Sequence, residues 1–316
     1  MTNNLENISF EAVINPKGIP YSQFRKSLTP RYFRAWQHIT VAFVLIAIPF
    51  LAYPFLPTGW RWLLAPLTMI YFGYLIAFVH LFIHEAAHFN LHPDKKTNDL
   101  LGSVILCAFF GITLKDYRKI HWQHHLHLAT PDDAEISYFS PLNMKFFFRI
   151  LTGVQVLSVL STRKKTISEK NMRRTLSVKL IVTGIIHGSL ILAAWFCGSY
   201  PLVISWVLAV TILFPFFATL RQVLEHRAEE AAGDADYYLQ LPRERSSRLF
   251  GNNFFSRTFG GAGFNRHMIH HWDPQISYTR MEDVVRFLEQ SPVTTSFIQQ
   301  SKTSYLKVFF RLTGFK

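Results

Sequence analysis

Charge is missing from four long stretches of this chain. Residues 39–56 (ITVAFVLIAIPFLAYPFL), 62–79 (WLLAPLTMIYFGYLIAFV), 180–197 (LIVTGIIHGSLILAAWFC) and 201–220 (PLVISWVLAVTILFPFFATL) contain no Asp, Glu, Lys or Arg. Each is long enough to cross a hydrocarbon core of about 30 Å as a helix. Four of them, paired by short links, exclude an ordinary soluble protein. Cysteine is scarce too. The two present, Cys107 and Cys197, both sit in apolar runs, which excludes a disulfide framework and a cysteine-ligated metal. The polar segment before the first run has no cleavable signal pattern, so insertion is expected to rely on the first span itself. No solenoid repeat or low-complexity tract is present.

Acidic residues are outnumbered, 20 Asp and Glu against 33 Lys and Arg, for a net charge of +13. The excess is placed unevenly. Arg25, Lys26, Arg31 and Arg34 precede the first span. Lys115, Arg118, Lys119, Lys145, Arg149, Arg163, Lys164, Lys165, Lys170, Arg173 and Arg174 fill the segment between the second and third. The links within the pairs, residues 57–61 and 198–200, are short. By the positive-inside rule both termini and the long segment face the cytoplasm, and the net charge is first a topology signal. Spread along a membrane edge, it suits anionic lipid better than nucleic acid. The expected fold is therefore an all-α membrane protein in one domain, residues 1–316. It has four transmembrane helices as two hairpins, about 39–56, 62–83, 180–197 and 201–220. A cytoplasmic helical cap is formed by residues 84–175 and 221–316. The apolar run 100–114 is too short to cross and is expected to be re-entrant or interfacial. The cap includes an acidic patch, Glu229, Glu230, Asp234 and Asp236, and a glycine-rich turn at Gly260, Gly261 and Gly263.

Histidine is what the chain has in excess, 14 residues, and they cluster. His84 and His88 lie in HEAAH; His121, His124 and His125 form HWQHH; His267, His270 and His271 repeat that spacing in HMIHH. On a helix, positions i, i+3 and i+4 share one face, so each box can aim its imidazoles at one point. HEAAH alone matches the His-Glu-x-x-His pattern of zinc proteases, with Glu85 as general base. A catalytic zinc, however, takes three protein ligands. Eight imidazoles meeting at one membrane face suit two transition-metal ions, and iron pairs such a ligand set with oxygen chemistry. Ligating histidines usually pass their second ring nitrogen to a carboxylate or carbonyl, a role for which Glu85, Asp132, Asp133, Glu225 and Asp273 are candidates. His80 is expected to pack behind the box, His38, His92 and His127 to be interfacial, and His187 to be a hydrogen-bonded core residue.

The three boxes, their order and the paired spans resemble the membrane fatty acid desaturase and hydroxylase superfamily over roughly residues 30–290. HEAAH and HWQHHLHLATPDD look like the acyl-lipid and sphingolipid desaturase branch. The resemblance implies two iron ions held by His84, His88, His121, His124, His125, His267, His270 and His271. A ninth ligand, His226, is offered by LRQVLEHR, with Gln222 one turn earlier as a polar partner. It also implies activation of O2 beneath a cytosolic cap, and introduction of a double bond into a fatty acyl or lipid chain. Hydroxylation or ketolation of a lipid, isoprenoid or other small molecule is the close alternative. No His-Pro-Gly-Gly motif of a fused cytochrome b5 and no flavin or nicotinamide fingerprint is present. The expected electron donor is therefore external, ferredoxin or cytochrome b5 with its reductase, and the basic loop suits an acidic carrier. Two rivals remain: an intramembrane zinc protease, and a lipid-binding protein with vestigial boxes.

Overall fold

The computed structural model describes residues 5, 8–128, 130, 132, 133, 135, 142–154, 169–227 and 248–314, and for 169–177 the backbone alone. The basic residues Arg163, Lys164 and Lys165, the side chains of Lys170, Arg173 and Arg174, and the acidic patch Glu229, Glu230, Asp234 and Asp236 lie outside the described residues.

The described chain is mostly helical. After a short helix α1 (Tyr21–Lys26) come α2 (Tyr32–Phe55) and α3 (Thr58–Ala87), then α4 (Lys95–Phe110) and α5 (Leu114–His127). There follow α6 (Met144–Leu151), α7 (Glu169–Phe196) and α8 (Tyr200–His226). The last third holds α9 (Phe254–Phe259), α10 (His267–Trp272), α11 (Met281–Gln290), α12 (Thr295–Gln300) and α13 (Tyr305–Thr313). Leu249–Phe250 and Lys302–Thr303 form a two-residue parallel pairing.

Four helices are long and apolar enough to cross a membrane: Tyr32–Phe55, Thr58–Ala87, Val178–Phe196 and Tyr200–His226. They run past the uncharged stretches, because the charge pattern marks where hydrocarbon ends and helical hydrogen bonding need not stop there. At 1.5 Å per residue α3 is about 45 Å long, so its last turns emerge beyond a core of about 30 Å. On α7, Leu180, Ile181, Ile185, Leu192 and Phe196 are all exposed, the outward apolar surface of a lipid-facing helix.

α3 is the hub, packed by α2, α5 and α8. Lipid is as apolar as leucine, so helices in a bilayer associate through close backbone approach and hydrogen bonds. Gly73 supplies the approach: a Cβ there would stand 2.4 Å from the Cβ of Leu213, which lies in a wide, π-helical turn of α8. The Tyr53 hydroxyl meets Thr68 at 2.6 Å, and Ser205 donates to the Ala65 carbonyl at 2.8 Å. Thr183 and His187 of α7 bond the carbonyls of Ala108 and Phe109, so His187 is hydrogen-bonded as expected.

The run 100–114 is helical as far as Phe110. The chain then turns at Gly111, in the left-handed region at φ +66°, and α5 leaves at 88° to α4. The turn brings the second histidine box back to the end of α3.

Candidate metal centre

Each box reaches the centre by a different local device. Box one rides on α3, whose last nine residues are almost all buried. His84 is within the helix and His88 follows its last residue, Ala87. Phe89 breaks the helix at φ +60°, an unusual conformation for a bulky residue. The carbonyls this exposes are not left unpaired. Arg118 donates to Ala86 and Ala87, and buried Asn98 donates to Ala86 and accepts from the Leu91 amide. The Arg118 guanidinium also covers the Phe89 ring at 4.0 Å and pairs with Asp99. Box two lies on α5, begun by a Thr113 side-chain cap. Box three forms the six-residue α10. It is entered through Gly263 at φ +81°, where any Cβ would strike Tyr278 at 2.5 Å.

All nine imidazoles named from sequence come together in two groups. His84, His88, His121, His125 and His270 form one, and His124, His226, His267 and His271 the other; within each, one candidate ligand atom per residue lies within 4.8 Å of the rest. In the first group the contacts are between Nε2 atoms: His84 to His270 at 2.8 Å, His270 to His125 at 2.8 Å, His125 to His121 at 2.9 Å and His121 to His88 at 2.8 Å. In the second, His267 Nε2 lies 3.0 Å from those of His226 and His271. The groups adjoin, with the rings of His125 and His271 4.9 Å apart.

This packing fits a bound cation. Each Nε2 has one in-plane position, a hydrogen or a lone pair. Yet His270, His125 and His121 each face two neighbours with that atom, and one position cannot serve both. Lone pairs converging on a shared positive centre resolve the conflict. The spacing agrees. For metal–nitrogen bonds of about 2.1 Å, neighbouring donors stand about 3.0 Å apart at right angles and about 3.4 Å at the tetrahedral angle. Separations of 2.8–3.0 Å suit more donors than a tetrahedral zinc takes. Burial holds the imidazoles of His88, His121, His125, His267, His270 and His271 below their ordinary pKa, and so in the neutral form that ligates.

His124 departs from this pattern. Burial alone would lower its pKa, but the carboxylates of Glu135 and Asp133 outweigh it and raise the value. Asp133 takes Nδ1 at 2.9 Å, so Nε2 is the atom left for the group. Glu85 lies 3.5 Å from His84 Nδ1 and accepts from Ser277 and the Tyr278 amide. It stands behind His84, on the side away from the converging Nε2 atoms, where a protease's general base has no reach.

The other carboxylates considered lie elsewhere. Glu225 is held by Arg221 and the Tyr305 hydroxyl. Asp273 is held by Arg25 and the Tyr21 hydroxyl, which ties the segment before the first span to the end of box three. Asp132 is exposed. Gln222 donates to Glu135, a residue sequence reasoning missed, whose carboxylate stands 3.5 Å from His121 Nδ1. Its one sequence signal is that it shares the acidic loop of Asp132 and Asp133. Phe264 was missed too: its ring lies 4.7 Å from both His84 and His267, beneath the Arg221 guanidinium. His80 packs among Phe110, Tyr117 and Phe214.

Comparison with known proteins adds a family and a relative. The family model described as fatty acid desaturase covers residues 60–296. Alkane 1-monooxygenase 2 of Alcanivorax borkumensis is 24% identical over 216 residues, 65% of this chain and 51% of that protein. The chain spans about half the length of this curated relative.

Proposed function

The chain belongs to the fatty acid desaturase family, and from that premise we propose that it introduces a double bond into a fatty acyl or lipid chain. At the coarser level it is an integral-membrane oxidoreductase of the di-iron desaturase and oxygenase type. The observation that carries the proposal is the pair of adjoining imidazole groups at the end of the long apolar helices.

One iron would be held by His84, His88, His121, His125 and His270, and a second by His124, His226, His267 and His271. Iron bound there supplies the activation of O2 that attack on an unactivated C–H bond requires. The protein's own work is positional. Asp133 holds the His124 ring in one tautomer, and Glu135 and Glu85 stand at the outer nitrogens of His121 and His84. Phe264, itself buried, packs on one ring of each group, His84 and His267. In this reading the two helix pairs are hairpins, the run 100–114 is re-entrant, and the histidine end and both termini face the cytoplasm, as the basic residues favour. Electrons come from ferredoxin or cytochrome b5 with its reductase.

A second reading, hydroxylation, is favoured by the likeness to a monooxygenase. Comparing lipids of cells with and without the gene separates the two: loss of two hydrogens marks desaturation, gain of one oxygen marks hydroxylation. Metal analysis of the purified protein tests the shared premise. About two irons per chain are expected, and a single zinc without iron would overturn it.

A further inference from the structure

Where the start of α2 meets the segments before and after box three lies a cavity of about 620 Å³ with an unusual wall. Five guanidinium groups line it, from Arg31, Arg34, Arg257, Arg266 and Arg286, against two carboxylates, Glu282 and Asp283. Those carboxylates are already engaged: Arg31 pairs with Asp283, and Arg266 and Arg286 pair with Glu282. Arg34 and Arg257 have no carboxylate partner among the described residues. Among the described residues the pocket thus carries three more positive than negative charges, with Arg34 and Arg257 exposed to solvent and Arg257 Nε donating to the Asn252 carbonyl. Its volume is within the usual range for a small-molecule pocket.

Its other end is apolar and leads inward. Phe78 and Thr258 are shared with a constriction of about 10 Å³, ringed further by Tyr74, Phe217 and Phe259 and bordered by Arg221. Arg221 lies over Phe264, whose ring packs on His84 and His267. Side-chain contacts thus link the arginine-lined cavity to the imidazole groups through Phe78, Arg221 and Phe264, but the void between has room for about one water, so a hydrocarbon chain passes only where Phe78 turns aside. The wall between them is strained at one point: Ala262, in the pocket lining, is at φ +50°, a conformation that tends to collect at functional sites.

We infer that this pocket holds the phosphate head group of an amphiphilic substrate whose hydrocarbon chain passes Phe78 toward the histidine groups. Guanidinium forks match phosphate oxygens in pairs, and arginines at a membrane edge meet lipid head groups at the right depth. The inference rests on the lipid-oxidising reading above and narrows it, since a neutral hydrocarbon has nothing for Arg34 and Arg257 to bind.

The test is a binding measurement on the full chain in neutral detergent, and it needs no turnover. Dodecyl phosphate, dodecanol and inorganic phosphate serve as probes, followed by competition calorimetry and phosphorus NMR line widths. The wild type is expected to prefer dodecyl phosphate to both others. Arg34→Gln with Arg257→Gln should weaken dodecyl phosphate by at least about tenfold, the loss expected for a charge-assisted hydrogen bond. Each single variant should give part of that loss. Lys307→Gln, at an exposed position outside the pocket, should change nothing. Equal affinity in double variant and wild type overturns the inference, as does dodecanol binding as tightly as dodecyl phosphate. Inorganic phosphate binding as tightly as dodecyl phosphate also overturns it, because the ligand would then be a free phosphate compound. Protein that takes up about two irons but does not discriminate the probes overturns this inference alone, whereas protein that discriminates them but on metal analysis holds a single zinc and no iron overturns the enzymatic reading and leaves the pocket standing.

Discussion

The two histidine groups are built by opposite use of the same motif. In HWQHH, His121 and His125 go to the five-membered group and His124 to the four-membered one; in HMIHH, His267 and His271 go to the four-membered group and His270 to the five. The i, i+4 pair stays together and the i+3 residue crosses over. The helix explains this: a step of four residues returns to within about 40° of the starting direction and a step of three falls about 60° to the other side, so the lone ring faces a different centre. Each His-x-x-His-His box therefore straddles both groups, which locks two helices to two centres at once. The groups differ in support as well. The five-membered one hangs on the capped end of α3, whereas the four-membered one leans on Asp133 and on the last residue of α8.

That contrast can be broken in measurable steps. The largest effect is expected from His226→Ala or His271→Ala, which removes one of four donors: bound iron, measured by elemental analysis, should fall from about two to about one per chain. His88→Ala, which removes one of five, should leave more iron than either. Next, Asp133→Ala should lower the affinity of one iron by about 10–100-fold, read by competition with a chelator, and leave the other unchanged; equal loss at both would erase the distinction in support. A smaller effect should follow from Arg118→Ala, which takes the donor from the Ala87 carbonyl while Ala86 keeps Asn98 and the Phe89 amide, and should cost about 1–3 kcal/mol in thermal unfolding of the detergent-solubilised protein. The smallest is Thr183→Val, which removes one hydrogen bond between helices within the apolar layer and should cost about 0.6 kcal/mol in the same assay.

Spans and boxes were legible because both obey short-range rules: the absence of charge over a bilayer's thickness, and imidazoles at helical spacing. Group membership was not. Whether His124 joins His121 or His226 depends on where α8 and α10 sit, which no spacing within HWQHH encodes. Nearness in sequence was an uneven guide to the carboxylates: Asp133 and Glu85 do stand at the Nδ1 atoms of His124 and His84. Glu225 and Asp273 stand next to box residues, but Arg221 and Arg25 hold them, because a full positive charge outcompetes a neutral ring nitrogen for a carboxylate. Glu135 stands ten residues beyond the box yet reaches His121, since the loop folds back. The exact place of the break could not be read either: the left-handed residue is Phe89, while the asparagine that suits that conformation is its neighbour Asn90. Arg118 and Asn98, far along the chain, make it tolerable.

The contact between His84 and His270 joins residues 186 positions apart, and this bears on the order in which the protein is made. Four of the five donors of the first group, His84, His88, His121 and His125, have left the ribosome before α7 begins. Three of the four donors of the second, His226, His267 and His271, belong to the last third of the chain. The first group is therefore nearly complete during synthesis, while the second has to wait for the end of α8 and for the C-terminal segment that carries His267 and His271.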